Sequence, residues 1–269
     1  MRPELLFAVG ATSQYVGAAI AVVLFASMPS RSVAFLRVLG AAIIVVVLRR
    51  SWKRGWTRDT VRKAALFGSV LALMNLAFYL AIERLPLGNA VAIEFLGPIV
   101  VAAIGTATAR GAFALLLGGG GVAVLAGVSP EGSIVGVGFA LLAAALWAGY
   151  IVLGQRVAMS GAGVDGLGLG MAVGAFVIAP AGIPGISAVF DTPWLIVVAM
   201  LTGLFSSAIP YGIDQVVLAR IPRSRFALLQ SMMPAVATVV GLVALAQRPS
   251  WSELAGITLV VAAILLAPE

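Results

Sequence analysis

Two charged residues, Arg37 and Glu94, stand in the middle of long apolar runs. Arg37 is set in Phe35-Leu36-Arg37-Val38-Leu39, and Glu94 in Ala92-Ile93-Glu94-Phe95-Leu96. A charge in apolar surroundings is costly unless it faces a partner or a polar cavity. A guanidinium offers five N–H donors in a fork that matches a carboxylate. A carboxylate receives an ammonium group or carries an exchangeable proton. Arg37 lies eight residues after Pro29 and Glu94 eight after Pro86, so in helices each sits roughly 12 Å below its start. Two readings follow. The pair joins only to fix helix packing, or it receives the opposite charges of a small zwitterion. Both hold at once if the solute competes with the pair.

A second set is polar but uncharged. Gln14 and Tyr15 stand together, Asn75 and Tyr79 are one helical turn apart, and Trp147 and Tyr150 form an i,i+3 pair. Ser206, Ser207 and Tyr211 fall in one apolar run, and Gln230 in the next. Taken singly, each reads as ordinary helix packing. Taken together, they describe an aromatic-walled cavity with a few hydrogen-bonding groups, suited to an amphipathic solute and able to hold an ammonium against a ring face. The candidate binding set is therefore Arg37, Glu94, Gln14, Tyr15, Asn75, Tyr79, Trp147, Tyr150, Ser207, Tyr211 and Gln230. Asp214 lies six residues before Arg220 and reads as an interfacial or helix-end contact. Asp165 and Asp191 read as helix-start residues.

The residue types that are missing exclude other chemistry. There is no cysteine and no histidine. That removes disulfides, thiolate zinc sites, the commonest metal ligand and the side chain best suited to proton relay near neutral pH. No metal site, cofactor or catalytic constellation is expected, and any proton coupling falls to a carboxylate, with Glu94 the candidate. No phosphate-cradling Walker loop is present, which argues against ATP-driven work within this chain.

Composition names the solvent of the elements that must position these residues. Hydrophobic residues make up 62% and charged ones 10%, with mean hydropathy +1.13. A soluble domain carries roughly 25% charged residues, so this chain has too little polar surface to face water all round. Lipid is its main surroundings. A span needs about 20 apolar residues, and candidates fall at 4–26, 30–48, 64–84, 87–108, 112–128, 134–155, 163–183, 193–217, 225–246 and 250–267. The first is too long for a secretory signal and is read as a span. The fifth contains Gly118-Gly119-Gly120-Gly121, which lowers helix propensity.

The net charge of +7 sits between these runs. It is read as loops held against anionic lipid, with no nucleic-acid partner. With ten spans and a cytoplasmic N-terminus, 13 of the 17 Lys and Arg residues fall inside and three outside, Arg37 being within a span. That split predicts both termini in the cytoplasm.

A weak internal repeat agrees with this count. Arg84-Leu85-Pro86 leads to Glu94 and Pro98, and Arg220-Ile221-Pro222 leads to Gln230 and Pro234, at a constant shift of 136. The predicted fold is an all-α polytopic membrane protein of ten transmembrane helices, arranged as two inverted five-helix repeats over 1–130 and 131–269. Five spans per half force opposite orientations, the plan of secondary transporters that hold substrate near the midplane. Gly166, Gly170 and Gly174 form a small-residue stripe for close helix packing. Pro98, Pro180, Pro210 and Pro234 predict kinks.

With these features assembled, the chain resembles the drug/metabolite transporter superfamily, EamA type. The Arg within Phe35-Leu36-Arg37-Val38-Leu39 and the run Ala92-Ile93-Glu94-Phe95-Leu96-Gly97-Pro98 look like the second and fourth spans of its amino-acid exporters, threonine/homoserine and aromatic amino-acid exporters among them. Gly10-Ala11-Thr12-Ser13-Gln14 stands where many members have Trp-Gly-x-Asn. Thr108-Ala109-Arg110 and Ala246-Gln247-Arg248 stand where many have Gly-Glu. The resemblance implies export of amino acids or related small metabolites by alternating access, in a bacterial inner membrane. The expected partners are a small-molecule substrate and membrane lipid, with the protein a monomer. Drugs, nucleotide sugars or other metabolites are the alternative cargo. A non-transporting assembly or sensor protein is the alternative class.

Overall fold

The computed structural model describes residues 3–106, 108–127, 133–190, 192–220, 230 and 233–266. These residues are helical throughout, with short connections. In chain order the helices are α1 (Pro3–Leu24), α2 (Ser30–Arg49), α3 (Arg58–Ile82), α4 (Leu87–Glu94), α5 (Leu96–Thr106), α6 (Ala109–Gly127), α7 (Ser133–Met159) and α8 (Gly163–Gly182). They continue as α9 (Trp194–Gly203), α10 (Ile209–Leu218), α11 (Met233–Leu245) and α12 (Trp251–Leu266). Six helices, counting α9 and α10 as one continuous rod, are long and apolar enough to cross a membrane, and four shorter apolar helices accompany them. The chain is an all-α, multi-pass membrane protein.

Local signals explain the helix ends. Thr57 caps α3 by accepting from Thr60 N at 3.2 Å. Asp59 in its first turn pairs with Lys63 at 2.5 Å. The helix therefore starts at Arg58, ahead of the apolar run from 64, because cap and charge pair let it project past its apolar part. Arg50 ends α2 in the left-handed conformation (φ 52°). Pro29 and Pro86 directly precede α2 and α4.

Prolines break two helices at informative points. Pro98 has no N–H for the carbonyl of Glu94 four residues earlier, and the run from 87 to 106 divides at Phe95 into α4 and α5. Between α9 and α10, Leu204–Ala208 winds as a π-helix just before Pro210. Such segments recur at functional sites. Pro180, by contrast, lies inside the unbroken α8.

Small residues draw the helices together. A Cβ on Gly68 of α3 would overlap the Gly170 backbone of α8, and Gly174 meets the same stretch of α3. Gly166 faces Val157 and Ala162 instead. So the stripe seals α8 to α3 through two of its three glycines. The four-glycine run from Gly118 stays helical because α6 packs along α12, where Gly121 meets Gly256. Helix partners are mostly distant in the chain: α3 with α7 and α8, α2 with α8 and α9, α1 with α10 and α11, and α4 with α7 and α11. Of the second copy of the repeat signal, Arg220, Gln230 and Pro234 are described, while 221–229 lie outside the described residues, as does Asp191.

Candidate functional site

Nine polar and aromatic side chains meet at one cavity where α1, α2, α3, α4, α7, α10 and α11 approach each other. Gln14, Arg37, Asn75, Glu94, Trp147, Tyr150, Tyr211, Asp214 and Gln230 line it, with Ala18, Met74, Phe78 and Met233 as apolar wall. Its free volume is about 20 Å³, room for about one water. A solute of even a few heavy atoms enters only if helices move apart.

Arg37 is the best-anchored residue of the site. It is 1% exposed. Its Nε donates to Ser207 Oγ at 2.8 Å, and its Nη2 donates to the Ser206 carbonyl. Pro210 explains that acceptor, since a proline four residues on cannot supply the helical N–H to Ser206 O. The guanidinium also lies over the Tyr79 ring, 5.0 Å from its centroid. A backbone contact fixes the approach: a Cβ on Gly203 would fall onto the Arg37 carbonyl. Two of the five guanidinium donors are thus used on protein acceptors, leaving others for the cavity.

Glu94 ends α4 at the proline break and faces the same cavity. No ion pair joins it to Arg37, whose donors are turned to Ser206 and Ser207. Of the two readings left open by the sequence, the arrangement is the one in which both charges line one cavity without pairing. The cavity lining therefore carries both a guanidinium and a carboxylate that are not joined to each other.

The neutral residues fall into two groups. Asn75 Nδ2 donates to Leu71 O at 2.7 Å, and its Oδ1 accepts from Tyr211 Oη at 3.1 Å, linking α3 to α10. Trp147 packs edge-on to Phe95 at 4.7 Å between centroids. Tyr150 stacks between Phe67 and Tyr211 at 5.3 and 5.6 Å. Tyr15, Tyr79 and Ser207 are buried just behind the lining, Tyr79 and Ser207 against Arg37. Gln14 and Gln230 reach the cavity directly.

Asp214 requires a correction. It is not a helix-end partner of Arg220. It is buried, lines the cavity and accepts a hydrogen bond from Tyr150 Oη at 3.1 Å. A sequence signal was available: Asp214 follows Tyr211 by three residues, one turn along the same face. Its nearness in sequence to the basic segment hid this. Next to it, Gln215 is buried against Gly154 and Phe67 with neither amide atom hydrogen-bonded. Asp165 does start a helix, yet what it does there is pair with Arg49 at 3.4 Å and Arg54 at 3.1 Å and accept from Ser51 Oγ at 3.3 Å. Among the described residues no group of acidic side chains could hold a metal ion.

Comparison with known proteins agrees with this architecture. Residues 134–267 match the model of the EamA-like transporter family. The threonine/homoserine exporter RhtA of Salmonella typhimurium is 29% identical over 97% of this chain and 89% of its own length. The exporter of the same name from Escherichia coli K12 has the same identity and coverage. A protein crystal structure aligns over 97% of this chain and 96% of its own, with TM-score 0.63 and 20% identity, a likeness of fold alone. The packed membrane helices identify the chain as a multi-pass membrane protein, and its residues 134–267 are similar to the EamA-like transporter family.

Proposed function

We propose that this protein is a secondary transporter that exports amino acids or related small metabolites, by alternating access between its halves 1–130 and 131–269. The observation that carries this reading is the single cavity to which both halves contribute oppositely charged groups: Arg37 and Glu94 from the first, Asp214 from the second. Arg37 takes the substrate carboxylate with the donors it does not spend on Ser206 and Ser207. Glu94 takes the ammonium or, if transport is coupled to protons, carries the proton. Trp147, Tyr150 and Tyr211 wall the side-chain space. Threonine and homoserine are the first substrates to try, given what the relatives are named for.

Helix pairing supports the two-halves reading. Taking each broken helix as one span, the ten spans pair as a two-fold arrangement requires: third with sixth and seventh, eighth with first and second, and fifth with tenth. The lysine and arginine distribution supports a cytoplasmic position for both termini. A cavity for one water supports a closed intermediate between two open states.

The test is flux. Purified full-length protein is reconstituted in liposomes and supplied with labelled threonine, homoserine and other amino acids, with and without a pH gradient. Saturable flux that Glu94→Gln reduces at least tenfold, in protein that still elutes as a folded species, is the expected result. A flux that follows the pH gradient in wild type but not in Glu94→Gln makes Glu94 the coupling residue. Absence of flux for every amino acid overturns the substrate class and moves the search to drugs and nucleotide-linked solutes.

A further inference from the structure

The cavity holds more acceptor than donor capacity, and this imbalance identifies a group not yet assigned. Its lining has one cation, Arg37, against two carboxylates, Glu94 and Asp214. Arg37 has already turned two donors to Ser207 Oγ and Ser206 O. Asp214 is 9% exposed, and among the described residues its side chain has one hydrogen-bond donor, Tyr150 Oη, and no ion-pair partner. A carboxylate accepts about four hydrogen bonds. Independently, Gln230, 1% exposed and lining the same cavity, has its Oε1 buried without a hydrogen-bond partner. An unpaired buried acceptor is costly in any environment and most costly in a membrane. Tyr150 and Tyr211 line the same cavity, their rings 5.6 Å apart. A carboxylate, a free amide oxygen and aromatic faces around one space match a compact cation with several N–H donors.

We propose that Asp214 and Gln230, with Asp214 oriented by Tyr150, form a primary-ammonium subsite of the transport cavity. This deepens the reading of the protein as an amino-acid transporter and rests on it. It divides the labour of the site. The ammonium docks on the second half of the chain, through Asp214 and Gln230, while Arg37 of the first half holds the carboxylate. A zwitterion then bridges the two halves. Glu94 is left to carry the proton or to meet the ammonium as the halves rearrange.

The experiment compares full-length wild type, Asp214→Asn, Asp214→Glu and Gln230→Leu in lipid nanodiscs, by competition against labelled threonine. The competitors are threonine, N-acetylthreonine, which lacks the ammonium, threonine methyl ester, which lacks the carboxylate, and threoninol, an uncharged-end primary ammonium. Wild type is expected to prefer threonine over N-acetylthreonine. Asp214→Asn is expected to weaken threonine about tenfold or more and to bring N-acetylthreonine level with it, while discrimination against the methyl ester stays. Asp214→Glu recovers part of the preference.

Gln230→Leu separates binding from packing. Removing an unpaired buried acceptor raises the melting temperature, yet threonine binding weakens. Because it does not depend on Asp214, it keeps the proposal testable if Asp214→Asn does not fold. Threonine affinity and ammonium discrimination unchanged in these variants overturn the subsite. If wild type binds no amino acid, direct binding of labelled threoninol decides. Asp214-dependent binding of it keeps the subsite and discards amino acids as cargo, and no binding discards both.

Discussion

At the scale of single residues, Arg37 shows why a buried cation is tolerated. Its charge is spread over a serine hydroxyl, a backbone carbonyl made available by Pro210 and the face of Tyr79. Ser207→Ala removes the Nε acceptor and leaves a charged donor unpaired in the interior. The expected loss is about 1–3 kcal/mol, read as a fall in melting temperature in detergent. Arg37→Lys keeps the charge but not the planar fork. It is expected to fold and to lose substrate binding by at least tenfold, measured by the same threonine competition. If Arg37→Lys binds threonine normally, the guanidinium geometry is not what recognises the carboxylate.

At the scale of elements, helix breaks and glycine contacts have separate duties. The break at Phe95 exists because Pro98 withholds an N–H from the Glu94 carbonyl, and it leaves Glu94 at a helix end. Pro98→Ala supplies the N–H. The expected outcome is equal or higher thermal stability with flux reduced several-fold, as α4 and α5 merge into one stiff rod. Wild-type flux in that variant would show that the break plays no part in transport. The α3–α8 contact is the opposite kind of element, a seam without play. Gly170→Leu would drive a side chain into α3 at Ala64 and Gly68. Its expected result is loss of the monodisperse folded species in size-exclusion chromatography, since small residues are what let membrane helices approach.

At the scale of the whole molecule, polar ties bind the proposed halves at both ends of the cavity. At one end, Asp165 gathers Arg49 and Arg54, and Arg54 also donates to Gly161 O at 2.7 Å. At the other, Asn89 Nδ2 donates to Glu253 Oε1 at 2.6 Å, and the Leu87 N–H to Gln247 Oε1 at 3.0 Å. Polar ties at both ends and a cavity with room for about one water fit the occluded state that the proposed alternating access passes through. Alternating access requires each tie to open in turn. The chain has no cysteine, so Asn89→Cys with Glu253→Cys can be cross-linked by a short thiol-reactive reagent against a clean background. Cross-linking is expected to stop flux, and a cleavable reagent to restore it on reduction. Flux that persists after complete cross-linking would place the moving boundary elsewhere.

Composition and periodicity alone determined that this is a helical membrane protein with polar residues gathered inside it. With 10% charged residues, a membrane is the only solvent that fits, and a charge in a span must face a cavity or a partner. Arg37 and Glu94 were legible for that reason, and Asn75, Tyr150 and Tyr211 only as members of a polar and aromatic set within apolar runs. Depth along a helix follows from counting residues, but which charge meets which depends on helix rotation and on contacts between helices more than a hundred residues apart. Only the tertiary structure turned Arg37 to Ser206 and Ser207 instead of Glu94, because Gly203 and Pro210 fix the α2–α9 approach and free an acceptor there. Only it brought Asp214 into the cavity, where local sequence pointed to a basic neighbour. Side-chain chemistry is written residue by residue, whereas partnership is set by packing, and packing is a property of the folded whole.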